Sequence, residues 1–126
     1  MESIVYVGMD VHKDSYSICC YKAKEDKFYY EKKVKAETKR VIKYLESVKE
    51  IFGEETIFFC GYEAGPTGFG LYRDLEKEGY SCVVMAPTSL KKSANQKVKN
   101  DREDARYLAK TLCTKEYSAE NVTTEE

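Results

Sequence analysis

Residues 3–9, Ser-Ile-Val-Tyr-Val-Gly-Met, are almost uninterruptedly apolar and rich in β-branched and aromatic side chains. A run of that length and makeup predicts a strand buried on both faces. Asp10 follows directly. Residues 15–21 form a second apolar run. Residues 28–34 form a third strand candidate, polar enough to read as a sheet edge. The links between these three are short, which predicts an antiparallel meander. At residue 38 the period changes. Val41, Tyr44, Leu45, Val48 and Phe52 recur at three and four, the spacing of an amphipathic helix over 38–52 with Gly53 behind it.

The alternation of types then continues. Residues 56–62 predict another buried strand, ending at Glu63, and residues 64–68 (Ala-Gly-Pro-Thr-Gly) a turn. Residues 69–78 predict a helix closed by Gly79, with Leu71, Tyr72 and Leu75 inward. Residues 80–86 predict a strand halted by Pro87. Residues 88–99 are basic and polar with weak periodicity. Asn100 can cap a helix over 101–114, Glu103 completes the capping-box pattern, and Leu108 and Leu112 fall on the buried side. The order β-β-β-α-β-α-β-α predicts an α/β fold. Its expected form is a mixed five-stranded sheet, three antiparallel strands followed by α-β units, with helices packed on it. We expect one domain over 1–115 and a polar tail, 116–126, leading to a further segment.

Composition changes this picture in two places. Net charge is −1, but its distribution is uneven. Residues 88–115 carry eight Lys/Arg against three acids, and residues 116–126 carry four Glu and no base. One basic segment in a near-neutral domain is a local electrostatic footprint for a polyanion, or simply a solvated helix face. The five cysteines are odd in number and none stands in a C-x-x-C pair, which excludes a zinc signature and an obvious disulfide framework. Four lie in apolar runs and read as small buried hydrophobes of a reducing, cytoplasmic compartment. No apolar run is long enough to span a membrane. The eleven tyrosines mostly occupy periodic apolar positions, so core packing explains them better than base stacking.

Chemistry concentrates on acids. Asp10 and Glu63 each fall at the carboxyl end of a predicted buried strand, the edge where open α/β sheets form sites. Asp101 and Asp104, at i and i+3, share one face of a helix start. If the first and fourth strands are neighbours, the four carboxylates can meet. Hard divalent cations take oxygen ligands, and two of them can activate an attacking oxygen and steady a leaving one in phosphodiester chemistry. Each acid also has a plain reading: a turn cap for Asp10, a solvated loop for Glu63, a favourable helix dipole for Asp101 and Asp104. Lys97, Lys99, Arg102 and Arg106 flank the proposed site and are the expected phosphate contacts. His12 reads as a surface or hydrogen-bonding residue. Gly65-Pro66-Thr67-Gly68 lacks the spacing and the Lys-Ser/Thr of a P-loop and is a weak phosphate signal.

Four ordered stretches carry a resemblance: Val7-Gly8-Met9-Asp10-Val11-His12-Lys13-Asp14, the run from Tyr62 to Tyr72 that opens Tyr-Glu-Ala-Gly-Pro-Thr-Gly, Val84-Met85-Ala86-Pro87, and the run from Val98 to Ala105. Together they resemble the DEDD transposases of the insertion-sequence-one-ten class, which includes the Piv-type DNA invertases. The resemblance implies an RNase H-like, RuvC-like domain. It implies a DEDD tetrad at Asp10, Glu63, Asp101 and Asp104 holding magnesium or manganese. It implies recombination of an insertion element with target DNA by strand cleavage and transfer, in some members with a structured guide RNA, and a homo-oligomer of the full-length protein. Asn100 stands where the family pattern has Thr; either can cap a helix. Relatives continue into a coiled-coil linker and a second domain with a serine nucleophile, and no serine here sits in that motif. We therefore expect an N-terminal portion that is not fully active alone. The alternatives are a stand-alone RuvC-like nuclease and a non-catalytic nucleic-acid-binding or assembly module.

Overall fold

The computed structural model describes residues 3–65, 69–86 and 101–115, with the backbone alone for residues 3 and 101–104. The elements occur in the expected order. They are β1 (Ser3–Val11), β2 (Ser15–Lys22), β3 (Lys27–Lys35), α1 (Thr38–Phe52), β4 (Thr56–Glu63), α2 (Gly70–Lys77), β5 (Ser81–Met85) and α3 (Asp101–Thr114). Two bounds move in an instructive way. Asp10 lies inside β1 rather than after it, because β2 continues to pair with it through Asp10↔Ser17 and Val11↔Tyr16. Ladder hydrogen bonds hold those residues in the strand after apolarity has ended. α2 is one residue shorter at each end than the pattern from 69 to 78 suggests. The predicted tail, 116–126, lies outside the described residues.

The strands form one sheet in the order β3-β2-β1-β4-β5. β1, β2 and β3 pair antiparallel, while β1–β4 and β4–β5 pair parallel. This is the mixed five-stranded sheet of an RNase H-like fold. Side chains on a strand alternate between faces, and both faces are covered. Val5, Val7 and Met9 of β1 join Cys60 and Tyr62 of β4 in a core that includes Val41, Leu45 and Val48 of α1 and Leu71 and Leu75 of α2. The opposite face, with Tyr6 and Phe59, packs on Leu108 and Leu112 of α3. Fully burying a leucine stabilises by about 2 kcal/mol, so these two anchor α3. Among the described residues no helix is long and apolar enough to cross a membrane.

Ala105 and Ala109 of α3 are also buried. Small residues there let the helix backbone close on the sheet at Gly8. A Cβ built on Gly8 would stand 2.3 Å from Ala109 N and 2.4 Å from Ala105 O. The position therefore excludes any side chain while α3 holds its place.

Edge strand β3 contains one irregularity. The β2–β3 register shifts between Ile18↔Lys32 and Cys20↔Tyr29, and Tyr30, within the shift, adopts φ +54°. Positive φ is uncommon for a side chain of this size, and an extra residue in one strand is the signature of a bulge. The Tyr44 hydroxyl donates to the carbonyl of Tyr30 at 2.7 Å, so α1 captures a carbonyl close to the shift.

Four of the five cysteines, Cys19, Cys20, Cys60 and Cys82, are buried, as expected, and Cys113 is half-buried. Burial pushes the Cys19 and Cys82 thiols up to about 12 and Cys20 to about 11. Each folded-state value is raised, so the native state keeps protons that the unfolded chain gives up. This stabilisation is fully present below the free-thiol value of about 8.5 and is lost as pH rises toward 11–12. Melting temperature should therefore be flat from neutrality to about pH 8.5 and then fall steeply. At pH 8 a thiol reagent should modify Cys113 quickly and the other four only after denaturant is added. Rapid native-state reaction of all five would contradict the packing described.

Candidate functional site

β1 and β4 are parallel neighbours in register from Ser3↔Thr56 to Met9↔Tyr62. Asp10 and Glu63 are the next residue on each strand. They thus stand side by side at the carboxyl edge of the sheet, separated by one strand spacing of about 4.8 Å. Alternation places both on the α3 face: Met9 and Tyr62 belong to the opposite core, while Gly8 and Gly61 lie beneath Ala109 and Leu112. Both carboxylates are half-buried. The Ala64 N–H donates to the Met85 carbonyl at 2.9 Å, so the β4 edge is tied to β5 just beyond Glu63.

α3 runs antiparallel to β1. The Lys110 ammonium near its C-terminal end lies 5.9 Å from the ring centre of Tyr21, which pairs with Tyr6. Ala105 and Ala109 lie over Gly8. The first turn, which bears Asp101 and Asp104, therefore continues toward Asp10. At about 1.5 Å per helical residue, the two positions lie about 9 and 4.5 Å along the axis from the point over Gly8. Asp10 lies about 6.6 Å along β1 from Gly8. The backbone positions of the aspartate pair thus bracket the level of Asp10. The helix N-terminus, whose unpaired N–H groups carry partial positive charge, approaches the carboxylate edge.

The His12 imidazole bonds Asp10 Oδ2 through Nε2 at 2.9 Å. The His12 side chain is half exposed, whereas Asp10 is 15% exposed. The contact fixes one carboxylate oxygen from the solvent side. The sequence reading of His12 as a hydrogen-bonding residue missed this partner. The i, i+2 spacing across the end of a strand was the available signal, since such residues share a face. Ser17 was also missed: it pairs with Asp10 and is buried on the same face. Only strand register reveals it.

The four expected phosphate contacts divide. Lys97 and Lys99 lie outside the described residues, and Arg102 is described by backbone alone. The Arg106 guanidinium engages the Glu31 carboxylate and lies 5.3 Å from the ring centre of Phe28, tying α3 to β3. Pro66, Thr67 and Gly68 of the weak phosphate turn, and Asn100, also lie outside. Among the described side chains no three of the metal-ligating types cluster. Asp10 and Glu63 are the described pair, and the other two expected ligands belong to the first turn of α3.

Residues 7–126 match the family of IS110-type DEDD transposases, described as transposase. Two relatives are each 34% identical to this chain. One is the transposase for insertion sequence element IS1533 of Leptospira borgpetersenii, aligned over 89% of this chain and 32% of its own length. The other is y4qE of Sinorhizobium fredii, named as a transposase, aligned over 90% of this chain and 29% of its own length. The chain spans about a third of the length of these curated relatives.

Proposed function

Because the chain belongs to the IS110-type DEDD transposase family, we propose that it is the carboxylate-bearing domain of a transposase that cuts and joins DNA strands. Asp10, Glu63, Asp101 and Asp104 are its catalytic residues and would hold magnesium or manganese. The observation that carries this reading is the placement of Asp10 and Glu63 side by side on one sheet face, at the edge that the start of α3 approaches.

The donor set fits a hard divalent cation. It is all oxygen, and Asp10 and Glu63 are half-buried and built on strands rather than loops. Two like charges one strand spacing apart repel each other unless a cation lies between them. When bound, such ions supply Lewis-acid stabilisation of a phosphodiester and of the attacking and leaving oxygens. The chain's own residues do the rest. β1 and β4 fix the separation of Asp10 and Glu63. His12 orients Asp10 through Oδ2. The first turn of α3 brings Asp101 and Asp104 and a field that favours anionic phosphate. Lys97, Lys99 and Arg102 are the proposed contacts that position DNA, and Arg106 joins them where it gives up its pairing with Glu31. A structured guide RNA and a homo-oligomer of the full-length protein belong to the same reading.

Calorimetric titration of the chain with manganese tests the cation site. Wild type should release or absorb binding heat, and Glu63→Gln should weaken binding at least tenfold, about 1.4 kcal/mol. Equal heats from wild type and an Asp10→Asn/Glu63→Gln double variant would remove the metal-site reading. Cleavage of branched DNA by this chain alone would favour a self-contained nuclease over a transposase domain.

A further inference from the structure

A second charged feature lies at the other side of the sheet. Residues 27–43 carry seven Lys/Arg against two Glu. They fold into edge strand β3 and the first turns of α1, and between them runs a groove of about 600 Å³. Its lining includes Lys32, Lys33 and Lys35 from the strand and Arg40 and Lys43 from the helix, with no acid among the lining residues. All five cations are exposed. Of the segment's two glutamates, Glu31 engages Arg106 on the α3 face, and Glu37 pairs with the groove's own Arg40 at 3.1 Å, leaving the charge of the groove chiefly to its lysines.

We propose that this groove binds the phosphodiester backbone of a nucleic acid. Lysines are depleted from protein–protein interfaces, whose centres are apolar and aromatic. Here the non-cationic lining is confined to Val34, Tyr44 and Ser47, and Tyr44 is buried. A small anion would need convergent, fixed donors. These cations instead form two rows, on flexible stems that keep the charge in water. Lys32, Lys33 and Lys35 are about 3.4 and 6.8 Å apart along the strand, and Arg40 and Lys43 about 4.5 Å apart along the helix. Such rows suit an extended polyanion that releases counterions as successive phosphates are neutralised.

The groove also has a direction. Lys33 pairs with Ser17, and Ser17 pairs with Asp10. The cationic edge therefore begins two strand spacings, about 10 Å, from the carboxylate edge. The groove is walled by α1 and the carboxylates lie on the α3 face, so nucleic acid held in the groove would round edge strand β3 to reach Asp10 and Glu63, as a segment flanking the reacting strand. The inference takes its partner from the function proposed above but is independent of the metal site.

The test is fluorescence anisotropy of the full chain in EDTA. The probes are a labelled DNA duplex of about 30 base pairs and a stem-loop RNA, each titrated between about 50 and 200 mM salt. The Lys32→Ala/Lys35→Ala/Lys43→Ala variant should lose at least tenfold in affinity. Its salt slope on duplex should fall by about 2.7, near 0.9 for each phosphate no longer neutralised. A control triple of lysines outside residues 27–43, Lys24→Ala/Lys49→Ala/Lys77→Ala, should change affinity less than threefold. The larger loss on DNA or on RNA identifies which nucleic acid the groove holds. A groove triple that loses no more than the control triple, or a wild-type chain that binds neither probe, overturns the proposal. A Lys→Arg triple at the three groove positions, retaining affinity, separates charge from folding. The anisotropy is read in EDTA and the manganese titration without nucleic acid, so the two readings fail separately.

Discussion

Asp10→Asn in the full-length transposase should reduce donor–target recombination by about a thousandfold or more, with no loss of folding. The size follows from what the carboxylate is proposed to do. Removing one charged ligand from a site that stabilises a phosphoryl transition state forfeits about 4 kcal/mol, and each 1.4 kcal/mol is tenfold in rate. The fold should not notice. Asn has the same shape, and its amide oxygen can still accept the 2.9 Å bond from His12 Nε2. The backbone pairing of Asp10 with Ser17 needs no side chain. Melting temperature should therefore stay within about 2 °C of wild type. His12→Ala makes a graded comparison: it frees Oδ2 without removing charge and should cost about ten- to a hundredfold, the range for a partner that orients a metal ligand. Undiminished recombination by Asp10→Asn, in a chain that melts normally, would leave the carboxylate edge without a catalytic role.

Hydrophobic periodicity encodes most of the architecture. Each of the eight elements was legible because its period or turn chemistry is strong, and the bounds of α1 and α3 coincide with those read from Val41 to Phe52 and from the Asn100 cap. The adjacency of Asp10 and Glu63 was legible only as a condition, that strands one and four be neighbours. Parallel pairing is set by the crossover of α1 over the sheet, and no local pattern encodes it. Other features depend on register. Ser17 beside Asp10, the bulge at Tyr30 and the engagement of Arg106 with Glu31 join residues far apart in sequence. Charge counting pointed to residues 88–115 and passed over the groove. Its cations lie on elements of different period, Lys35 on a strand and Lys43 on a helix, and converge only when both pack at the sheet edge. The role of Gly8 was hidden for the same reason: in the sequence it is a gap in an apolar run, and in the fold it is a point of backbone contact.

That contact makes Gly8→Ala the largest expected loss of stability from a single methyl group in this chain. The added carbon would meet Ala109 N at 2.3 Å and Ala105 O at 2.4 Å, far inside ordinary contact. Both are helix backbone atoms held by their own hydrogen bonds, so no rotamer change relieves the clash. α3 must back off by more than 1 Å or tilt, which opens the packing of Leu108 and Leu112 on Tyr6 and Phe59. Overpacking of this kind costs about 3 kcal/mol, or roughly 10 °C in melting temperature for a chain of this length. Gly61→Ala is the natural comparison. Its Cβ would meet Leu112 Cδ2 at 2.6 Å, but that is the end of a flexible side chain, so the cost should be nearer 1 kcal/mol. The consequence for function is specific. Displacing α3 moves the first turn, with Asp101 and Asp104, away from Asp10, so Gly8→Ala should weaken manganese binding even at temperatures where it remains folded. Gly61→Ala should leave that binding nearly intact. Urea denaturation and metal titration of the two variants side by side read both effects. Equal stability of Gly8→Ala and wild type would show that α3 does not rest on β1, and the proposed convergence of the four carboxylates would lose its structural basis.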